Sequence, residues 1–288
     1  MAHRRPVVLA VVLTALVAGC TSGDPQAPPS TAGPSPSPSA TTTPTPSPTA
    51  SPVPQVVPVY YLVDTRAGIR LARETATTTG TDPVRAAVER MIAGAEDPDY
   101  TTAWDPGTRV LGVDRTGAAI VVDLSAEART ATVGSEGAAT MVQQLVWTVT
   151  DAADADTTPV LLTVDGAPAG ELWGAVSWTE PVPRQDPLSV RQLVQIDQPT
   201  EGAATGSPVT VAGEAAVFEA TLPWRVLDTA GAEVTSGFTT TSEGQVFAPF
   251  SFTLELAPGT YTVEISEDDP SDGEAGTPMT DTRTITVS

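Results

Sequence analysis

Apolar residues fall into three regimes along the chain. An apolar run occupies 7–18, residues 21–55 offer almost nothing to bury, and from Val56 onward apolar positions recur at the periods of strands and helices. Residues 56–64 (VVPVYYLVD) predict a strand, a polar turn follows at 64–68, and 69–75 alternates as a second strand. Asp82-Pro83 predicts a helix start, because an Asp carboxylate caps free amides and proline has the φ of a first helical residue. Val84, Ala87, Val88, Met91 and Ile92 then recur at helical spacing, and Gly94 ends the helix. An irregular stretch, 96–107, holds Tyr100, Trp104 and Asp105-Pro106-Gly107. Strands at 109–114 and 118–124 join through the tight turn Arg115-Thr116-Gly117. A second helix spans 136–150, with Ala138, Met141, Val142, Leu145 and Val149 on one side. A last strand, 159–164, ends at Asp165-Gly166. The order ββαββαβ over 57–183 predicts an α+β sandwich with its helices on one sheet face.

Residues 184–193 are expected to link this domain to a second, 194–288. There the helical period disappears. Strands at 209–213, 216–227, 233–240, 250–256, 261–266 and 282–287 have the spacing of an all-β immunoglobulin-like sandwich. Alternation is clear in Phe250, Phe252, Leu254 and Leu256, and again in Tyr261, Val263 and Ile265. With no cysteine in this half, packing alone must hold the two sheets.

The N-terminal run has a different meaning. His3, Arg4 and Arg5 precede it, and it is too short to cross a hydrocarbon core of about 30 Å, which takes roughly 20 helical residues. It fits the heart of a signal peptide, residues 1–19. Val17-Ala18-Gly19-Cys20 resembles the lipobox of bacterial lipoproteins. That resemblance implies cleavage before Cys20, the only cysteine of the chain, and a diacylglyceryl thioether on it. Two acyl chains at about 0.8 kcal/mol per buried methylene make a durable anchor on the extracytoplasmic face of the cell membrane. The rest of 20–56 is rich in Pro, Ser and Thr and cannot repay its ordering entropy, so it is expected to be a disordered tether, either bare or carrying O-linked sugar. At about 3.1 Å per residue it would reach on the order of 100 Å.

Charge narrows the function. The chain has 14 arginines, no lysine, 35 acidic residues and a formal charge of −21. Loss of Arg4 and Arg5 with the signal peptide leaves 12 arginines and a charge of −23. Nucleic-acid binding needs a basic footprint and is excluded. Anionic lipid repels such a chain, so the lipid must hold it at the membrane. The lysine-free composition, rich in Ala, Gly, Pro, Thr and Val, points to a GC-rich genome. His3, the one histidine, leaves with the signal peptide, and the folded part lacks cysteine and lysine. Triads, thiolate catalysis and Schiff bases are therefore excluded. Paired carboxylates of a wall glycosidase stay open in principle, but nothing selects a pair. The acidic run 267–274 fails as a calcium loop from Asp268, because Pro270 takes the third place and Met279 the twelfth. Asp151, Asp154 and Asp156 read as a helix-end loop. No metal or cofactor is expected.

Residues 111–125 (LGVDRTGAAIVVDLS), 143–150 (QQLVWTVT) and 160–166 (VLLTVDG) resemble the GerMN domain of sporulation and spore-germination proteins and of actinobacterial lipoproteins. The resemblance covers about 60–180. Residues 198–199, 207–215, 217–221 with Phe218-Glu219, and 228–231 resemble the immunoglobulin-like domain of bacterial spore germination proteins, which follows GerMN domains; the acidic insertion 267–276 departs from it. Nothing matched looks catalytic. Asp123 and Ser125 can end a strand, Gln144 can bond backbone beside a sheet, and Asp165-Gly166 can turn a hairpin. Tyr100, Trp104, Trp173 and Trp178 are the candidate partner-binding residues, since aromatic rings anchor interfaces. The reading is a non-catalytic, lipid-anchored envelope protein that presents its domains to a protein partner. The alternatives are a binding module for peptidoglycan or a small ligand, and a carboxylate glycosidase.

Overall fold

A computed structural model describes residues 54–268 other than 116, together with 274 and 276–288. The signal segment, Cys20 and the stretch to residue 53 lie outside the described residues, as does most of the acidic insertion. Strands β1 (Gln55–Thr65) and β2 (Gly68–Thr78) form an antiparallel hairpin, in register from Gln55 against Thr78 to Thr65 against Gly68. Helix α1 (Pro83–Ala93) starts where the Asp82 carboxylate accepts from the Val84 and Arg85 amides, at 3.1 and 3.3 Å. Its buried face is the five apolar residues expected from the spacing.

Strands β3 (Val110–Arg115) and β4 (Ile120–Leu124) lead through a 3₁₀ turn, Ala126–Arg129, to helix α2 (Ser135–Ala152). Beyond it come β5 (Val160–Val164), β6 (Ala167–Pro168), β7 (Gly170–Leu172) and β8 (Val176–Trp178). The sheet order is β3-β4-β5-β6, with β4 and β5 parallel because α2 is the crossover between them. Asp165 and Gly166 both have positive φ, 52° and 74°, which is the geometry of the β5–β6 hairpin turn. Asp123 ties that turn to β4, accepting from Thr163 Oγ1 at 2.8 Å and from the Gly166 amide at 2.9 Å.

The helices do not lie on one face of one sheet. The hairpin is a sheet of its own, and α2 packs against β1 and β2 as well as β5 and β8. Almost every α2 residue from Gly137 to Thr150 is buried. The physical reason is in its polar residues. Gln144 Nε2 donates to the Tyr60 carbonyl at 3.0 Å, and Thr148 Oγ1 accepts from the Tyr60 amide at 3.1 Å. The polar stripe of α2 thus satisfies the outer edge of β1 instead of facing water.

In the segment expected to link the halves, α3 (Pro187–Val190) is a single turn, followed by buried Arg191 and Gln192. The second lobe contains β9 (Val194–Gln198), β10 (Ala203–Thr205), β11 (Val209–Ala215), β12 (Thr221–Asp228), β13 (Glu233–Thr240), β14 (Ala248–Leu254), β15 (Gly259–Ser266) and β16 (Thr280–Val287). They form sheets of order β10-β16-β15-β12-β13 and β14-β11-β9 around Val211, Leu222, Val226, Val263 and Ile285. The strand expected at 216–227 begins at Thr221, because Glu219 and Ala220 take left-handed φ of 53° and 59°. Strand β9 escapes periodicity because Val194, Gln195 and Ile196 are buried in succession, on both faces.

Candidate functional site

The densest charged chemistry lies where the two lobes meet. β2 is an edge strand, and the second lobe closes it. The Gln192 amide donates to the Leu71 carbonyl at 2.9 Å. Two residues further along β2, the Arg73 amide donates to the Gln195 side chain at 2.7 Å and the Arg73 carbonyl accepts from it at 2.8 Å. The Arg73 guanidinium crosses in the other direction, to Asp197 at 2.6 Å and Glu214 at 2.9 Å. Arg191 also pairs with Glu214, and its guanidinium sits 4.1 Å from the Phe247 ring centre and 5.5 Å from that of Trp147. Arg184 covers Trp147 at 4.2 Å and pairs with Asp151. Burial opposes the charge on Glu214, but Arg191 and Arg73 together hold its carboxyl below the usual range.

A second charged group lies deeper. Arg283 on β16 is 3% exposed and bonds Asp97 at 2.6 Å and Asp281 at 2.9 Å, both 1% exposed. It also donates to the Ile196 carbonyl at 2.7 Å, while the Tyr100 hydroxyl and the Ile196 amide donate to Asp281. Two carboxylates thus share one guanidinium. Burial pushes Asp97 up to about 6, against the hydrogen bond from the Asp99 amide and the attraction of Arg283. Burial raises Asp281 as well, against the same guanidinium. Both carboxyls are raised by burial, and with side chains only 1% exposed they are sealed from any glycan substrate. Among the described residues no three His, Cys, Asp or Glu side chains converge to hold a metal ion.

The four aromatic candidates do not share a surface. Tyr100 is buried at the charged group just described. Trp104 is 2% exposed and meets Trp173 edge-on at 5.4 Å. Trp173 is half-buried and donates to the Ala128 carbonyl at 2.9 Å. Trp178 is 1% exposed, its indole N–H on the Val160 carbonyl at 3.3 Å. Arg73, Asp97, Gln195, Asp281 and Arg283, which build the seam, carry no motif. One signal does exist: Asp281 and Arg283 share the inward period of β16 with Ile285 and Val287, a charged pair on a core face.

Residues 58–170 match a family described as sporulation and spore germination, and 193–274 match the immunoglobulin-like domain of bacterial spore germination. The chain is a GerMN domain followed by a spore-germination immunoglobulin-like domain. Neither family description names an enzymatic activity. Among solved structures, the tandem GerMN domains of the sporulation protein GerM from Bacillus subtilis align at 19% identity and TM-score 0.39, over 46% of this chain and 46% of that one. The first GerMN domain of the same protein aligns at 20% identity and TM-score 0.36, over 46% of this chain and 99% of that one. The chain therefore spans about half the length of the tandem protein. No curated protein matches it. The seam joins the GerMN lobe to its immunoglobulin-like neighbour through the edge of β2, and both family matches stop short of the α3 segment between them. Among the described residues no helix is long and apolar enough to cross a membrane, which says nothing of strands.

Proposed function

We propose that this protein acts without catalysis, as a lipid-anchored envelope protein whose GerMN and immunoglobulin-like lobes work as one block in protein assembly on the outer face of the membrane. The observation that carries this reading is the seam. Its buried arginines and carboxylates are spent on holding two germination-type domains together, and Asp97 and Asp281 offer no access to a substrate. A rigid pair of domains suits a scaffold, since preorganisation lowers the ordering cost of binding. The sporulation and germination descriptions of both families support assembly during spore formation in an organism that sporulates. The Val17–Cys20 motif supports the anchor.

Crosslinking in intact cells followed by pull-down tests the assembly role. The expected result is reproducible recovery of the same envelope protein, lost when Cys20→Ala releases the chain into the medium or leaves an uncleaved precursor. Hydrolysis of purified wall by the protein would overturn the reading in favour of an enzyme. Retention on wall pellets with no protein crosslink would overturn it in favour of a peptidoglycan-binding module.

A further inference from the structure

A cleft of 490 Å³ opens between the lobes, lined by residues 62–66, Asp99, Thr101, Gln192 and residues 277–280. Two of its donor side chains are already engaged. Arg66 is held by Glu267 through two bonds of 2.9 and 2.6 Å. The Gln192 amide nitrogen donates to the Val194 and Thr280 carbonyls, at 3.0 and 2.8 Å. Acceptors remain. Gln192 is 1% exposed, and its Oε1 has no hydrogen-bond partner among the described residues. The carboxylates of Asp64 and Asp99 are exposed at the rim, and Asp99 accepts from Thr282 Oγ1 at 2.8 Å. A buried acceptor left unpaired is destabilising, so a site of this composition gains most from a ligand that brings donors and positive charge.

The backbone beside the cleft adds a second feature. On the outer edge of β1 the Leu62 amide and carbonyl are taken by Thr101, at 2.7 and 2.8 Å. In an antiparallel ladder the outward-facing residues alternate, so the next outward pair of backbone groups belongs to Asp64, one step past that bridge. An edge of this kind accepts an extended segment by strand addition.

We propose that this cleft receives a lysine or arginine side chain from an extended segment of a partner protein. The segment lies along the end of β1 at Asp64, and its cationic group sits between the Asp64 and Asp99 carboxylates with one N–H directed to Gln192 Oε1. The formal charge of −21 on the chain favours a basic partner over an acidic one. The proposal rests on the assembly reading above, and a binding measurement on purified protein separates the two.

The test is fluorescence anisotropy of the full-length protein in detergent with a labelled Thr-Val-Lys-Val-Thr peptide and its norleucine analogue. Binding of the lysine peptide is expected to exceed that of the norleucine peptide at least tenfold. D64N with D99N should weaken it at least tenfold, and D64N alone should weaken it in part. E171Q with E180Q, an equal charge change at exposed positions of the same lobe, should change it less than twofold. Equal losses in the two double variants would reduce the effect to net charge and overturn the site. So would equal binding of the norleucine peptide, or no binding at millimolar peptide. Tighter binding of a purified wall stem peptide bearing a free amine would overturn the protein source. Failure of the peptide with a reproducible crosslink in cells would sink the cleft and leave the assembly role standing.

Discussion

The side-chain amide of Gln195 closes a cyclic pair of hydrogen bonds with the backbone of Arg73, accepting from its amide at 2.7 Å and donating to its carbonyl at 2.8 Å. A glutamine thus does for β2 what a neighbouring strand would do. Gln144 and Thr148 do the same for β1 at Tyr60, the residue directly opposite Arg73. At this opposed pair of residues both edges of the hairpin are closed by side chains, which covers the strand backbone there.

Gln195→Ala leaves two backbone groups at the seam without their partner. Each such group costs about 1–3 kcal/mol, so the loss in unfolding free energy is expected at roughly 2–6 kcal/mol. Urea denaturation of the purified protein measures it. A loss below about 0.5 kcal/mol would show that water takes over both bonds at no cost.

Arg283→Met leaves Asp97 and Asp281 buried with no cation beside them. Breaking a buried pair from one side costs about 3–5 kcal/mol at pH 7. Part of that loss should return at pH 5, where protonation removes unpaired charge. A destabilisation equal at both pH values would mean that packing, not charge, is what Arg283 supplies.

The wild-type protein should lose stability as pH rises from 5 to 7. Asp97 titrates at about 6 when folded, above its ordinary 3.8, so the folded chain holds that proton more tightly. Its contribution is fully present below about 3.8 and is lost as pH rises through about 6, on the order of 1 kcal/mol between pH 5 and 7. Asp281 shifts in the same direction. The lowered carboxyl of Glu214 has the opposite sign but acts below its ordinary 4.5, outside this window. Urea midpoints across pH 5–7 check the slope, and D97N should flatten it. An unchanged slope in D97N would assign the effect elsewhere.

Gly213→Ala is expected to be severe. The strand register shifts between Ala212 and Gly213, and a Cβ at 213 would lie 1.9 Å from the Gln195 carbonyl oxygen of β9. The obstacle is backbone, so β9 and β11 must separate, at a cost of about 3 kcal/mol or more. Because the same displacement moves Gln195, the loss should be smaller than additive with Gln195→Ala in a double-mutant cycle. Full additivity would show that the two residues are energetically independent.

Much of the fold is legible locally. Asp82-Pro83, the five apolar residues of α1 and the Asp165-Gly166 turn act through sterics and capping within a few residues, so the chain displays them without its partners. The alternation of Phe250, Leu254 and Leu256 is read the same way, and all three are buried. The polar stripe of α2 is also visible, and Gln144 reads as a side chain that bonds backbone beside a sheet. Which strand it meets is decided by the fold, which lays the edge of β1 at Tyr60 against it.

By itself, then, the sequence determined the ββαββαβ order of the main elements of the first lobe, the two domain families and the lack of a thiol, imidazole or amine nucleophile in the folded part. Only the tertiary structure decided that Asp97 meets Arg283 across 186 positions, that Gln195 completes the edge of β2, and that Tyr100, Trp104 and Trp178 are buried. The reason is one of range. Periodicity and capping are set by neighbours on the chain, whereas a buried charge or an open strand edge finds its partner wherever the fold brings one.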